Sequence, residues 1–134
     1  MGTHRFGITL WLLPILFLAV SCNVMNPYRG EPGEWIESGI ASWYGLDYHG
    51  TTTANGETYN MESFTAAHPS LPFNTIVHVV NLDNGKTVNV RINNRGPYVE
   101  GRVIDLSRRA AKEVDIIERG LARVDIYMVR EIRE

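Results

Sequence analysis

Short runs of alternating apolar and polar residues dominate the chain after residue 35. Val88, Val90 and Ile92 alternate with Thr87, Asn89 and Arg91, the period of a half-buried strand. Val77 and Val79 share one face of a second run, Thr75 to Asn81. Between the two lies Asp83-Asn84-Gly85-Lys86, which predicts a hairpin. Asn84-Gly85 is expected to fill the two positive-φ positions of a type I′ turn. Ile36 to Tyr44, Arg102 to Leu106, and the alternating Val124, Ile126 and Met128 predict three further strands. Helical periodicity is scarce. Ser107 can cap a short helix from Arg108 to about Val114, with Ala110 and Ala111 inside it. A second turn or short helix is expected from Glu62 to Ala67. Many short strands with little helix predict a mostly β domain closed into a small barrel, which leaves no long edges.

A different pattern precedes these strands. His4 and Arg5 form a weakly positive start, and Phe6 to Val20 is almost wholly apolar, with Pro14 inside it. The run is shorter than the ~20 apolar residues a spanning helix needs, so it reads as a secretory signal. Cys22 is the sole cysteine, which excludes an intramolecular disulfide. Leu18-Ala19-Val20-Ser21-Cys22 resembles a bacterial lipobox, with Ala19 where Leu is usual, and implies lipidation of Cys22. Asn23 follows, where an Asp would favour the inner membrane, so the resemblance leans toward an outer-membrane anchor facing the periplasm. Asn23 to Glu34 holds two Pro and two Gly without apolar periodicity, the composition of a tether. The expected organisation is a lipoprotein signal peptide at 1–21, a lipidated cysteine and flexible tether at 22–34, and a β-barrel domain at 35–134.

Charge removes one class of partner. Without residues 1–21 the chain carries 12 basic and 15 acidic residues and no basic stripe, so it offers no electrostatic footprint for nucleic acid. His4, His49, His68 and His78 are scattered without metal-ligand spacing. No phosphate loop or nucleophile elbow is present, and no metal or cofactor is expected.

Four segments could carry chemistry. The polar run Asn93-Asn94-Arg95-Gly96-Pro97 follows the hairpin, and polar groups at strand ends suit binding. Trp43 to Gly50 is dense in aromatics and glycine, which suits stacking on sugar rings. Trp43 fits a core position better; Tyr44, Tyr48 and His49 fit core and sugar-binding roles equally. Asn55-Gly56 places Glu57 just after a tight turn, where an acid is ordinarily solvated unless a second acid faces it across a groove. Asp105 stands among Val103, Ile104 and Leu106. It is either a general acid or a structural carboxyl bonded to Arg102 or to backbone amides near Ser107. His68 closes Thr65-Ala66-Ala67-His68, and a lone histidine is more often structural.

Taken in order, these blocks resemble the rare lipoprotein A family from about Gly39 to Val129. The shared blocks are Ala41-Ser42-Trp43-Tyr44-Gly45, His49-Gly50, Thr53-Ala54-Asn55-Gly56-Glu57, Tyr59, Thr65-Ala66-Ala67-His68, Leu71-Pro72, Asn81, Asn84-Gly85, Arg95-Gly96-Pro97 and Arg102 to Ser107. The resemblance implies a small six-stranded double-psi β-barrel with one or two short helices. It implies a lytic transglycosylase that cleaves peptidoglycan glycan strands stripped of stem peptides and leaves anhydro-muramic ends. The implied partners are those glycan strands and a membrane, reached through the lipid. Carried over residue by residue, Glu57 matches one family acid, and the second is an Asp where this chain has Asn94. Asp105 stands where the related barrels of expansins and some endoglucanases place their acid. The implied catalytic residues are therefore Glu57 and Asp105, and the implied substrate-binding residues are Tyr44, His49, His68, Asn94 and Arg95. An amide at position 94 keeps the shape of a carboxylate but shuttles no proton, a loss worth on the order of 10²–10⁴ in rate where that proton matters. A non-catalytic, expansin-like glycan-binding module is thus the alternative. The family's septal peptidoglycan-binding repeat has no counterpart in the chain, and Asp115 stands where the family often has a helix-ending glycine.

Overall fold

The computed structural model describes residues 25–130, together with the isolated Gly2 and Gly7. The apolar run Phe6 to Val20 and Cys22 lie outside the described residues. Six strands run in chain order: β1 (Glu31–Trp43), β2 (Thr65–Ala67), β3 (Ile76–Asn81), β4 (Thr87–Asn94), β5 (Arg102–Leu106) and β6 (Ala122–Arg130). A single turn of 3-10 helix (Leu46–Tyr48) follows β1, and one α-helix, α1 (Arg108–Glu113), follows β5. The strands close into a barrel in the order β1-β5-β2-β4-β3-β6. β1 and β5 are parallel, as are β2 and β4, while all other neighbours are antiparallel. Two parallel pairs within an otherwise antiparallel closed sheet give a double-psi β-barrel-like fold.

The alternation read from the sequence is the alternation of burial. Val77, Val79, Val88, Val90 and Ile92 turn into the barrel, where they meet Ile104, Leu106, Val124 and Ile126. Helix α1 closes one side with Ala110 and Ala111 fully buried. Ser107 caps it as expected, its side chain accepting from the Ala110 N–H.

Three expectations need correction. Thr65–Ala67 is strand, not the end of a short helix. All three residues are buried between β4 and β5, and this tertiary pairing overrides the helix propensity of alanine. The β3–β4 hairpin exists, but its turn is wider than type I′. Gly85 alone takes positive φ, at 73°, and its N–H reaches back to the Asn81 carbonyl at 2.8 Å. The Asn84 side chain bonds instead to the Lys86 N–H and to the Val114 carbonyl, so the turn is shaped by contact with the end of α1. Finally, β1 starts at Glu31 rather than at the expected Ile36. Before it, Asn26 Nδ2 donates to the Asn89 carbonyl at 2.8 Å, and Asn89 Nδ2 donates to the carbonyls of Tyr28 and Gly30. Residues 26–30 form a strap across β4.

Candidate functional site

The strand register assembles the site. Ser42 on β1 pairs with Asp105 on β5, Asp105 with Ala67 on β2, and Ala67 with Asn94 on β4. One row across four strands thus runs Ser42–Asp105–Ala67–Asn94. Neighbouring strands are about 4.8 Å apart, so the backbones at Asp105 and Asn94, two strands apart, are roughly 10 Å from each other. The small Ala67 lies between them. The register shifts at Ala66/Ala67, so that Asn93 and Asn94 both stand opposite Ala67. Such a bulge re-aims side chains. Asn93 turns to Glu57 and Asn94 to Tyr44.

This row opens into a groove of about 520 Å³. Its walls are Trp43, Tyr44, Tyr48, Thr51 and Thr52 from the end of β1 and the following loop, with Asn94, Arg95, Arg102 and Asp105 opposite. Asp105 is the one carboxyl among these residues. Its side chain is only 16% exposed. Its Oδ1 accepts hydrogen bonds from the Ser42 hydroxyl and the Arg102 guanidinium, while Oδ2 has no partner among the described residues. Ser42 and Arg102 also bond to each other. The apolar neighbours in sequence do not isolate this acid: Ile104 and Leu106 face the core, and Asp105 faces the other way.

Glu57 stands beside the groove wall and not among the residues that line it. Arg91 Nη1 and Nη2 clamp its two oxygens at 2.7 and 2.9 Å, and Asn55 and Asn93 add a bond each. The Arg91 bonds, offset in part by burial, hold the Glu57 carboxyl down to about 2. The turn before it forms as expected, with Gly56 at φ 90° and the Thr53 N–H on the Glu57 carbonyl at 2.8 Å.

The remaining sequence candidates divide. Tyr44 lines the groove and stacks edge-on against Tyr59, with ring centres 4.9 Å apart. Burial pushes its phenol well above the usual range, with the Asn94 hydrogen bond opposing that rise. Asn94 Oδ1 accepts from the Ala54 and Arg95 N–H groups, both at 2.9 Å, and Nδ2 donates to Tyr44 Oη at 3.0 Å. Arg95 lines the groove, but its guanidinium is engaged elsewhere. It stacks over Phe73 at 3.9 Å and donates to the His68 and Leu71 carbonyls. His68 is buried: Nδ1 accepts from the Ser70 and Leu71 N–H groups, and Nε2 meets Glu37. With both nitrogens engaged, it shapes the loop after β2 and lines no part of the groove. His49 accepts from the Met61 N–H at 3.1 Å and also lies outside the lining. Sequence reasoning missed Ser42 and Arg91. Each stood at an ordinary strand position, and only the fold brings an acid to it.

Comparison with known proteins agrees with this architecture. A family model described as lytic transglycolase matches residues 36–126. The endolytic peptidoglycan transglycosylase RlpA of Helicobacter pylori is 48% identical over 121 residues, covering 83% of this chain and 38% of the relative. RlpA of Vibrio cholerae is 50% identical, over 74% of this chain and 38% of the relative. RlpA of Pseudomonas aeruginosa is 57% identical, over 66% and 26%. The chain therefore spans about a third of the length of the curated relatives it matches. Among solved structures, Streptomyces papain inhibitor superposes with a TM-score of 0.58 at 22% identity, covering 76% of this chain and all of that one. An expansin from Clavibacter michiganensis superposes with a TM-score of 0.56 at 20% identity, covering 72% of this chain and 52% of that one. These two likenesses concern the fold alone.

Proposed function

Because this chain belongs to the lytic transglycolase family, in its rare lipoprotein A branch, we propose that its groove binds peptidoglycan glycan strands and cleaves them as a lytic transglycosylase. The observation that carries the reading is the single carboxyl in the groove, Asp105, held by Ser42 and Arg102 with one oxygen left for substrate. In this reading Asp105 protonates the departing glycosidic oxygen. The carboxylate so formed takes the proton of the muramic C6 hydroxyl as that oxygen attacks the anomeric carbon, closing an anhydro ring. Glu57, the second carboxylate of this reading, is kept anionic by Arg91 and bears on the groove through Asn93, whose amide it holds beside Asn94. Tyr44 and Asn94 position the sugar. A preference for strands without stem peptides is what the family resemblance implies for this groove. A lipid on Cys22 would hold the domain at the envelope membrane, with the outer membrane favoured by Asn23.

A second reading, binding without cleavage, draws on two observations. The family's acid is an amide at Asn94, and a guanidinium engages each nearby carboxyl. One experiment separates the two. The full chain in detergent is incubated with peptide-free glycan strands, and the products are examined for anhydro-muramic ends by mass spectrometry. Such ends are expected from the wild type, with Asp105→Asn lowering their rate by about 10²–10⁴. No ends from the wild type, with ends from Asn94→Asp, would leave the binding module as the answer.

A further inference from the structure

The hydrogen-bond pattern around Asn94 fixes the direction of its bond to Tyr44. The Asn94 side-chain oxygen is identified by the two backbone N–H groups it accepts, those of Ala54 and Arg95. An amide nitrogen, which only donates, could not stand there. The NH₂ group therefore faces Tyr44, and Tyr44 Oη accepts from it at 3.0 Å. The phenol proton is left to go elsewhere. Among the described residues nothing takes it, although Tyr44 lines the groove beside Asp105.

A carboxylate at position 94 would reverse this bond. Its first oxygen would still accept from Ala54 and Arg95. Its second oxygen can only accept, so it would capture the Tyr44 proton. The amide thus does more than remove an acid. It supports Tyr44 from behind and releases its O–H. We propose that Tyr44, turned into a free donor by Asn94, donates its phenol proton to an acceptor oxygen of the bound glycan, a ring, hydroxyl or acetamido oxygen. This deepens the glycan-binding reading of the groove and rests on it. The edge-on contact with Tyr59 and the tilted contact with Tyr48, 5.8 Å between centres, hold the ring that carries this proton. Burial raises the phenol's pKa, which favours the protonated donor.

The test is a double-mutant cycle. Wild type, Tyr44→Phe, Asn94→Asp and the double variant are prepared as full chains in detergent and checked for cooperative melting. Equilibrium retention on immobilised peptide-free glycan strands is measured at 4 °C. Removing one hydrogen bond to a neutral acceptor is expected to weaken retention of Tyr44→Phe by about 3- to 10-fold. In the Asn94→Asp background the proton is already consumed, and the same substitution should change retention less than about 2-fold. An equal loss in both backgrounds, or no loss in the wild-type background, overturns the donor role while glycan binding stands. Absence of wild-type retention overturns the donor role together with the glycan reading beneath it.

Discussion

Glu57 meets Arg91 through two parallel N–H···O bonds, and a carboxylate so held gives up its charge only in strong acid. The linkage to stability has a definite sign. The folded-state value is about 2 against an ordinary 4.5, so the pair contributes stability fully above about pH 4.5 and loses it as pH falls toward about 2. Glu57 is 38% exposed, and solvent screening limits the contribution to about 1 kcal/mol or less. Unfolding by urea followed between pH 5 and 2 should therefore fall more steeply for the wild type than for Glu57→Gln. Parallel curves would mean that the Arg91 clamp contributes nothing. The importance of Asn94 was legible in the sequence, because it sits in a motif. The partner of Glu57 was not, since Arg91 reads as one more polar residue on the solvent side of β4. Asp105 was legible as an acid of interest, but Ser42, its second partner, became visible only through the register of β1 against β5.

At the scale of elements, the end of α1 carries a misfit that the sequence had marked. Val114 caps the helix and Asp115 follows at φ 59°. The Asp115 N–H returns to the Lys112 carbonyl and the Ile116 N–H to that of Ala111, both at 3.1 Å. This is a Schellman ending, in which a left-handed residue favours glycine. Its side-chain contact among the described residues, with Lys86 at 3.5 Å, is well exposed and worth little. Asp115→Gly should stabilise the domain by about 0.5–1 kcal/mol, read as a higher urea midpoint at unchanged slope. A lower midpoint would show that the Lys86 contact outweighs backbone strain. The helix was readable from Ser107 and the two alanines because its signals are local. β2 was not, because its three buried residues take strand geometry from β4 and β5, which lie far off in the chain.

Across the whole molecule, the order β1-β5-β2-β4-β3-β6 depends on pairings that no local pattern encodes. Alternation predicted most strands and a closed barrel, while the parallel pairing of β1 with β5 joins segments far apart in the chain and became visible only in the structure. The strap before β1 was read as tether from its prolines and glycines, yet its polar groups are bonded to β4. Gly30 makes this possible. Its φ is 147°, and a Cβ there would stand 2.3 Å from a Val129 methyl and 2.5 Å from the Arg130 carbonyl oxygen. Gly30→Ala should cost about 1–3 kcal/mol and expose to hydrogen exchange the Tyr28 amide, which donates to Asn26 Oδ1 at 2.9 Å within the strap. Unchanged exchange at Tyr28 would show that the strap does not depend on close packing there.

The strap also limits reach. With a lipid on Cys22, as proposed, only Asn23, Val24 and Met25 separate the anchor from Asn26, the first residue bonded to β4. Fully extended, that link spans at most about 14 Å. A domain on so short a leash cannot search the depth of the cell wall. Under that anchoring and the proposed activity, it would patrol a thin layer over the membrane and meet only the glycan strands that come down to it.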